Sequence, residues 1–229
     1  MIVGDRKPFD EIKESVKNYK KLLILGCGTC VSVCMAGGEK EVELLASQLR
    51  MANKMAGNDV EIGEDTIQRQ CDREYIEPIL ENAKGYDAVL SLACGAGVQL
   101  MADMMEPIPV LPGLNTRFIG RAEEEGVWSE MCRACGDCKL GRYAGVCPIA
   151  RCPKSILNGP CGGSQGGICE TDPSRECAWA LIYDRLIKQG RLDDICVVTP
   201  PKDFSTQNFP ARQVNEAYVK PEMEEVSTK

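Results

Sequence analysis

Histidine is absent from this sequence of 229 residues. The most common general acid–base group is therefore missing, and no serine or cysteine can have a histidine partner as an activated nucleophile. Aromatic residues make up only 5% of the chain, so broad stacking surfaces for bases or sugars are not expected. These absences argue against chemistry performed by the side chains alone and direct attention to bound metals or cofactors.

Several other features are missing. No apolar run approaches the roughly 18 residues that a membrane span needs, so we expect no membrane insertion. Residues 1–20 carry scattered charges without the apolar core of a signal peptide, so we expect a cytoplasmic protein. The net charge of −7 argues against a nucleic-acid partner. No G-x-G-x-x-G follows the first predicted strand and no GK[ST] occurs, which disfavours a nucleotide site.

Cysteine, in contrast, is abundant, with fourteen in the chain and eight of them between residues 132 and 177. Cys132, Cys135, Cys138 and Cys147, the last followed by proline, resemble the bacterial ferredoxin run and predict a [4Fe–4S] cluster. A second four-thiolate site, for zinc or another cluster, is predicted from the remaining cysteines of this stretch: Cys152, Cys161, Cys169 and Cys177. Disulfides are the alternative, but the predicted compartment and the length of the chain disfavour them.

The part of the chain before this stretch alternates between predicted strands and helices. Apolar runs at Lys21–Gly26 and Tyr86–Ala93 are typical of buried strands, with an edge strand near Asp59–Ile67 and an amphipathic helix over Glu39–Met51. This pattern predicts an α/β fold: a small flavodoxin- or Rossmann-like parallel sheet, followed by a cysteine-rich, loop-dominated metal or cluster domain. The predicted ranges are 1–120, 121–205 and an extended tail over 206–229. Residues 1–20 are expected to be helical, and 112–131 to be an irregular crossing.

Five further cysteines fall at the predicted strand-to-helix junctions, which share one edge of a parallel sheet. Cys27, Cys30 and Cys34 follow the first predicted strand. Cys94 is favoured as a fourth cluster ligand because a glycine-rich turn follows it, and Cys71 is the alternative. This arrangement predicts one N-terminal [4Fe–4S] cluster. The isolated Cys196 is expected to be a small core residue.

In five segments the chain resembles the small iron–sulfur/zinc companion subunit of bacterial methylenetetrahydrofolate reductase. These are GCGTCVSVCMAGGEKEVELLA, LACGAGVQ, LPGLNTRFIG, CRACGDCKLGRYAGVCPIARCPKSILNGPCGG and CAWALIYDRL. The resemblance spans residues 20–205, and NGPCGG and CAW are its most specific elements. It implies a partner subunit, a flavin-containing (β/α)8 barrel that reduces methylene- to methyltetrahydrofolate in the acetyl-CoA pathway.

In such a complex the companion subunit brings clusters and links the flavin to further redox subunits. The resemblance therefore implies a non-catalytic electron-transfer subunit, which agrees with the missing acid–base residues. An alternative is an assembly subunit in which zinc has a purely structural role. A corrinoid-dependent methyltransferase is disfavoured, because its cobalamin-binding loop requires a histidine and the chain has none.

Overall fold

The computed structural model of the protein describes residues 1–207 and 210–218. It divides the chain into two compact units. The first contains Met1–Arg133 and Ile149–Ser155, and the second contains Ala134–Pro148 and the described residues from Ile156 onward. Residue 120, where the sequence places the end of the first domain, lies inside a strand of the first unit. None of the described helices is long and apolar enough to cross a membrane.

A parallel four-stranded sheet forms the centre of the first unit, in the order β3-β2-β4-β5. Its strands are β2 (Lys21–Cys27), β3 (Glu61–Ile67), β4 (Ala88–Leu92) and β5 (Val110–Pro112). The sequence-based prediction of an α/β fold with a parallel sheet is thus confirmed, as is the edge position of β3. Strands β2 and β4 are the two central strands and are buried, from Leu22 to Cys27 in β2 and over all of β4, as expected for strands covered on both faces.

Helices cover both faces of this sheet, and alternate residues of β2 point into two separate cores. Leu22 and Ile24 belong to one core, Leu23 and Leu25 to the other. The helices of the first unit are α1 (Phe9–Val16), α2 (Cys30–Val33), α3 (Glu39–Ala56), α4 (Arg73–Ile76), α5 (Leu80–Ala83) and α6 (Gly95–Met105). A 3₁₀ turn that contains Pro78 separates α4 from α5, because proline disrupts the interior of an α-helix.

A second, antiparallel sheet was not predicted. It has the order β1-β6-β7 and consists of β1 (Ile2–Arg6), β6 (Leu114–Glu124) and β7 (Val127–Cys132). The prediction of an irregular crossing over 112–131 is therefore wrong, and residues 1–20 hold a strand before their helix. Strands β6 and β7 form a hairpin, and β1 pairs with the free edge of β6 although the two are far apart in the sequence. This pairing provides hydrogen-bond partners for backbone groups that neither β1 nor the hairpin could satisfy alone.

The second unit has little regular structure. A short hairpin of β8 (Ile168–Cys169) and β9 (Asp172–Glu176) precedes α8 (Ala178–Lys188). The short helix α7 (Pro148–Arg151) lies where the chain passes from one unit to the other. On α8, Trp179, Ile182 and Leu186 are buried, whereas Ile187 is exposed.

Candidate metal centres

Three cysteines follow the carboxyl ends of three neighbouring parallel strands. Cys27 is the last residue of β2, Cys71 follows β3, and Cys94 is the N-cap of α6 after β4. The chain passes from β2 to β3 on one side and then to β4 on the other. This edge is therefore the topological switch point, where open α/β sheets bind their ligands.

A buried polar network fixes the backbone beside Cys71. The side chain of Gln70 is fully buried, and its Nε2 donates to the carbonyl oxygens of Leu25 at 2.9 Å and Gly26 at 3.0 Å. The hydroxyl of Ser91 donates to Gln70 Oε1 at 2.6 Å. One amide thereby ties the residue before Cys71 to both β2 and β4, so the position of Cys71 is set by the sheet.

The Cys71 thiol lies within electrostatic range of two other thiols. Burial raises the pKa of the Cys71 thiol, and the thiols of Cys94 and Cys27 raise that pKa further. A cation bound beside Cys71 would oppose this effect, because a positive charge favours its thiolate. Cys30, at the start of α2, is partly buried and lies three positions after Cys27.

Cys34 points in another direction. Its side chain is 5% exposed, belongs to the core, and donates to the carbonyl oxygen of Ile2 in β1 at 3.6 Å. Burial raises the pKa of this thiol as well. Cys34 also lines a separate surface cavity of about 430 Å³ with Arg6, Arg117 and Trp128. Cys27, Cys71 and Cys94 therefore stand at or after three neighbouring strand ends, whereas Cys34 points towards the antiparallel sheet.

The second unit presents Cys135 and Cys138 on a tight loop and Cys147 directly before Pro148. Ala134 and Gly136 both have left-handed backbone angles, with φ of 49° and 77°, which coil this loop. The thiol of Cys135 donates to the carbonyl oxygen of Asp137 at 3.8 Å. Cys132 is the last residue of β7 and belongs to the first unit.

Three more cysteines of the second unit surround the β8–β9 hairpin. Cys161 donates its thiol proton to Glu170, with 3.0 Å between Sγ and Oε2, and Cys169 lies 3.3 Å from the Thr171 hydroxyl. Hydrogen bonds from Thr171 lower the pKa of the Cys169 thiol. The buried Cys177 donates its backbone N–H to Gly167 at 2.7 Å. Cys152 lies in the segment that belongs to the first unit.

Within residues 1–207 and 210–218, no three Cys, Asp or Glu side chains are arranged as a ready metal-binding group. The donor chemistry is nevertheless uniform. None of the fourteen cysteines, which all lie within these described ranges, forms a disulfide, and the sequence contains no histidine. Thiolates are the ligands that zinc and iron–sulfur clusters share. The residues at the strand ends and in the tight loops therefore fit a soft metal or a cluster in their donor chemistry.

The sequence analysis missed Gln70, left Cys71 open and misjudged Cys196. A polar residue directly before a cysteine, just after a predicted strand, was the one sign that Gln70 could bind the strand ends. Cys71 was only the alternative ligand, because its distance from the predicted strand and helix did not show which way it faces. Cys196, expected in the core, is exposed instead.

In the comparison with protein-family models, residues 111–205 match the family described as methylene-tetrahydrofolate reductase C terminal. This part of the chain is similar to that family. The match begins in β5, takes in the hairpin β6–β7, and includes all eight cysteines from Cys132 to Cys177. Neither the curated proteins nor the solved structures contain a match to the chain.

Proposed function

We propose that this chain is an iron–sulfur electron-transfer subunit of a methylenetetrahydrofolate reductase complex. The observation that carries the proposal is the family match over residues 111–205, because it includes the entire cysteine-rich stretch. The absence of histidine supports a role without acid–base chemistry of its own. Reduction of the folate would then belong to a flavin-containing barrel subunit, with further redox subunits as electron partners, in the cytoplasm.

The N-terminal cluster would be held at the carboxyl edge of the parallel sheet. The sequence assigns Cys27, Cys30, Cys34 and Cys94 to it. The positions of the side chains favour Cys71 in place of Cys34, since Cys71 neighbours Cys27 and Cys94 whereas Cys34 faces β1. A bound [4Fe–4S] cluster would supply one-electron transfer at this edge.

For the C-terminal cysteines, the proposal retains the assignment from spacing. Cys132, Cys135, Cys138 and Cys147 would hold a [4Fe–4S] cluster. Zinc or another cluster would be held by the later four: Cys152, Cys161, Cys169 and Cys177. Cysteines on tight turns and outside disulfides support this assignment, because short loops between soft ligands are typical of both kinds of site.

Metal analysis of the anaerobically purified chain tests this function. We expect iron and acid-labile sulfide in equal amounts, an EPR signal after reduction, and no tightly bound flavin. Folate reduction should require addition of a flavoprotein subunit. Zinc without labile sulfide would instead support the structural assembly subunit, and flavin with turnover in the isolated chain would contradict the division of labour.

A further inference from the structure

The segment Thr199–Gln207, here called the strap, lies across the loop that carries Cys135 and Cys138. Both belong to the second unit. From sequence, the chain beyond Thr199 has too few apolar residues for a core of its own, and an extended tail was expected from residue 206. The strap is instead held by polar contacts at each of its ends.

Its first end is fixed by Asn158 and Tyr143. The Asn158 side chain donates from Nδ2 to the Thr199 carbonyl oxygen at 2.8 Å and accepts at Oδ1 from the Thr199 backbone N–H at 2.6 Å. The hydroxyl groups of Tyr143 and Thr199 are 3.0 Å apart, and both residues are buried. An asparagine side chain thus pairs with both backbone groups of one residue, as a neighbouring strand would.

Its second end contacts the backbone of the cysteine loop. The Thr206 hydroxyl lies 3.0 Å from the carbonyl oxygen of Cys135, and Gln207 Nε2 donates to the Ala134 carbonyl oxygen at 3.3 Å. The approach is so close that a Cβ on Gly136 would stand 2.3 Å from the Thr206 carbonyl oxygen. Gly136 therefore serves two needs, a left-handed φ of 77° and room for the strap.

Between these ends the strap contributes a cation. The Lys202 side chain is only 6% exposed, and its Nζ lies 3.5 Å from Asp137 Oδ2 and 3.5 Å from the Asp137 carbonyl oxygen. Its third neighbour is the Thr206 hydroxyl at 3.4 Å. Asp137 stands between Cys135 and Cys138 in the sequence, so this ammonium group is placed beside the loop that bears the two thiols. These contacts hold the Lys202 side chain against the backbone and side chain of Asp137, and so against the loop that carries the two cysteines.

We propose that the strap is a clasp that holds the Cys135–Cys138 loop in the conformation that presents its thiolates to a soft metal. Thr206 and Lys202 are positioning residues: Thr206 contacts the loop backbone at Cys135, and Lys202 contacts Asp137 between the two cysteines. The proposal rests on the proposed function for the metal itself. The clasp is a property of the polypeptide and can be measured without a metal.

The test uses the full chain and the variants Thr206→Val and Lys202→Met. Thr206→Val keeps the shape of an exposed side chain and removes its hydrogen bonds. Lys188→Met, at an exposed lysine paired with Asp184 on α8, and Arg212→Ala, beyond the strap, are the controls. Circular dichroism checks that each variant folds.

The first measurement is hydrogen exchange of the amides of residues 134–139 in the reduced, metal-free chain. Thr206→Val should speed their exchange about fivefold, the effect of one lost hydrogen bond, and the controls should not. Unchanged exchange in Thr206→Val overturns the clasp. This result would stand whether or not the protein binds metal.

The second measurement adds Zn²⁺ to the same chains and follows alkylation of individual cysteines by mass spectrometry. Cys135 and Cys138 should lose protection at least fivefold faster in both strap variants, while Cys27 and Cys94 should keep theirs. Equal protection of Cys135 and Cys138 in all variants contradicts the role of the strap. If Zn²⁺ protects no cysteine in the unmodified chain, these thiols do not hold zinc, and the exchange measurement alone decides the clasp.

Discussion

At the scale of single residues, Gln70 and Cys71 are neighbours with separate roles. The Gln70 amide makes three hydrogen bonds within the end of the sheet, and Cys71 faces the thiols of Cys27 and Cys94. Gln70 therefore determines the position of Cys71 at the end of the sheet. Both roles can be tested separately, because Gln70 has no donor that suits a soft metal.

Replacement of Cys71 by Ser should remove the N-terminal cluster, lowering the content by about four irons per chain. Cys34→Ala should retain that iron, because the Cys34 thiol faces Ile2 and alanine fits a small buried site. Iron and sulfide analysis of the two variants decides between them. Loss of the iron in Cys34→Ala and its retention in Cys71→Ser would restore Cys34 as the ligand.

Gln70→Leu should destabilise the first unit by about 1–3 kcal/mol, because it leaves Ser91 and two strand carbonyl groups buried without their partner. Denaturant unfolding measures this loss. Adding Ser91→Ala should cost less than the two single changes predict, since the two side chains share one hydrogen bond. The control is Gln99→Leu, at an exposed position on α6, which should change stability by less than about 0.5 kcal/mol. Strict additivity of Gln70→Leu and Ser91→Ala would contradict the network.

At the scale of elements, the sequence predicts the parallel sheet well and the antiparallel sheet not at all. Strands β2 and β4 are short apolar runs that end at glycine or cysteine, so their local pattern is sufficient. Strand β6 mixes charged and apolar residues, and its partner β1 lies more than a hundred residues earlier. Local pattern cannot reveal such a pairing, because the partner provides the stabilising contacts.

The features of the candidate sites also fall into those that local sequence patterns predict and those that depend on distant contacts. The junction positions of Cys27 and Cys94 follow from strand ends that the sequence locates. The orientation of Cys34 towards β1 could not be predicted, because β1 itself was missed. The strap was missed for a related reason. The contacts of Asn158 and Lys202 that hold it are polar, so they produce no periodic pattern of apolar residues in the sequence.

The hairpin β6–β7 depends on a glycine at position 120. A Cβ there would stand 2.4 Å from the Ser129 carbonyl oxygen and 2.8 Å from the Phe118 ring. Gly120→Ala should therefore force the strands apart and cost about 1–3 kcal/mol, measured by thermal unfolding. Gly126→Asn, in the turn where φ is 83°, is the matched control and should be tolerated, because asparagine adopts left-handed angles. Equal stability of Gly120→Ala and the unmodified chain would contradict the close approach.

At the scale of the whole molecule, the two units differ in how they are stabilised. The first has two cores of buried aliphatic side chains, one on each face of the parallel sheet. In the described part of the second unit, the buried apolar residues are Tyr143, Ala144, Val146, Cys177, Ala178, Trp179, Ile182 and Leu186. So small a core is typical of domains that use metal sites for stability.

Removal of metal from the full chain should therefore affect the units unequally. After anaerobic chelation, amides in 134–148 and 156–207 should lose protection from hydrogen exchange, whereas those of β2 and β4 should retain it. Re-addition of metal should reverse the change. Equal protection of the second unit with and without metal would show that its thiols do not stabilise it.

The separation between the strap and its loop has a consequence for synthesis of the chain. Thr206 is made 71 residues after Cys135. At 5–20 residues per second, the ribosome needs about 4–14 s to cover that interval. During this interval the strand-end cysteines of the first unit have already been synthesised, whereas the Cys135–Cys138 loop does not yet have the strap to contact. Loading of the thiol sites in a growing cell would thus follow a fixed order in time, beginning with the strand ends.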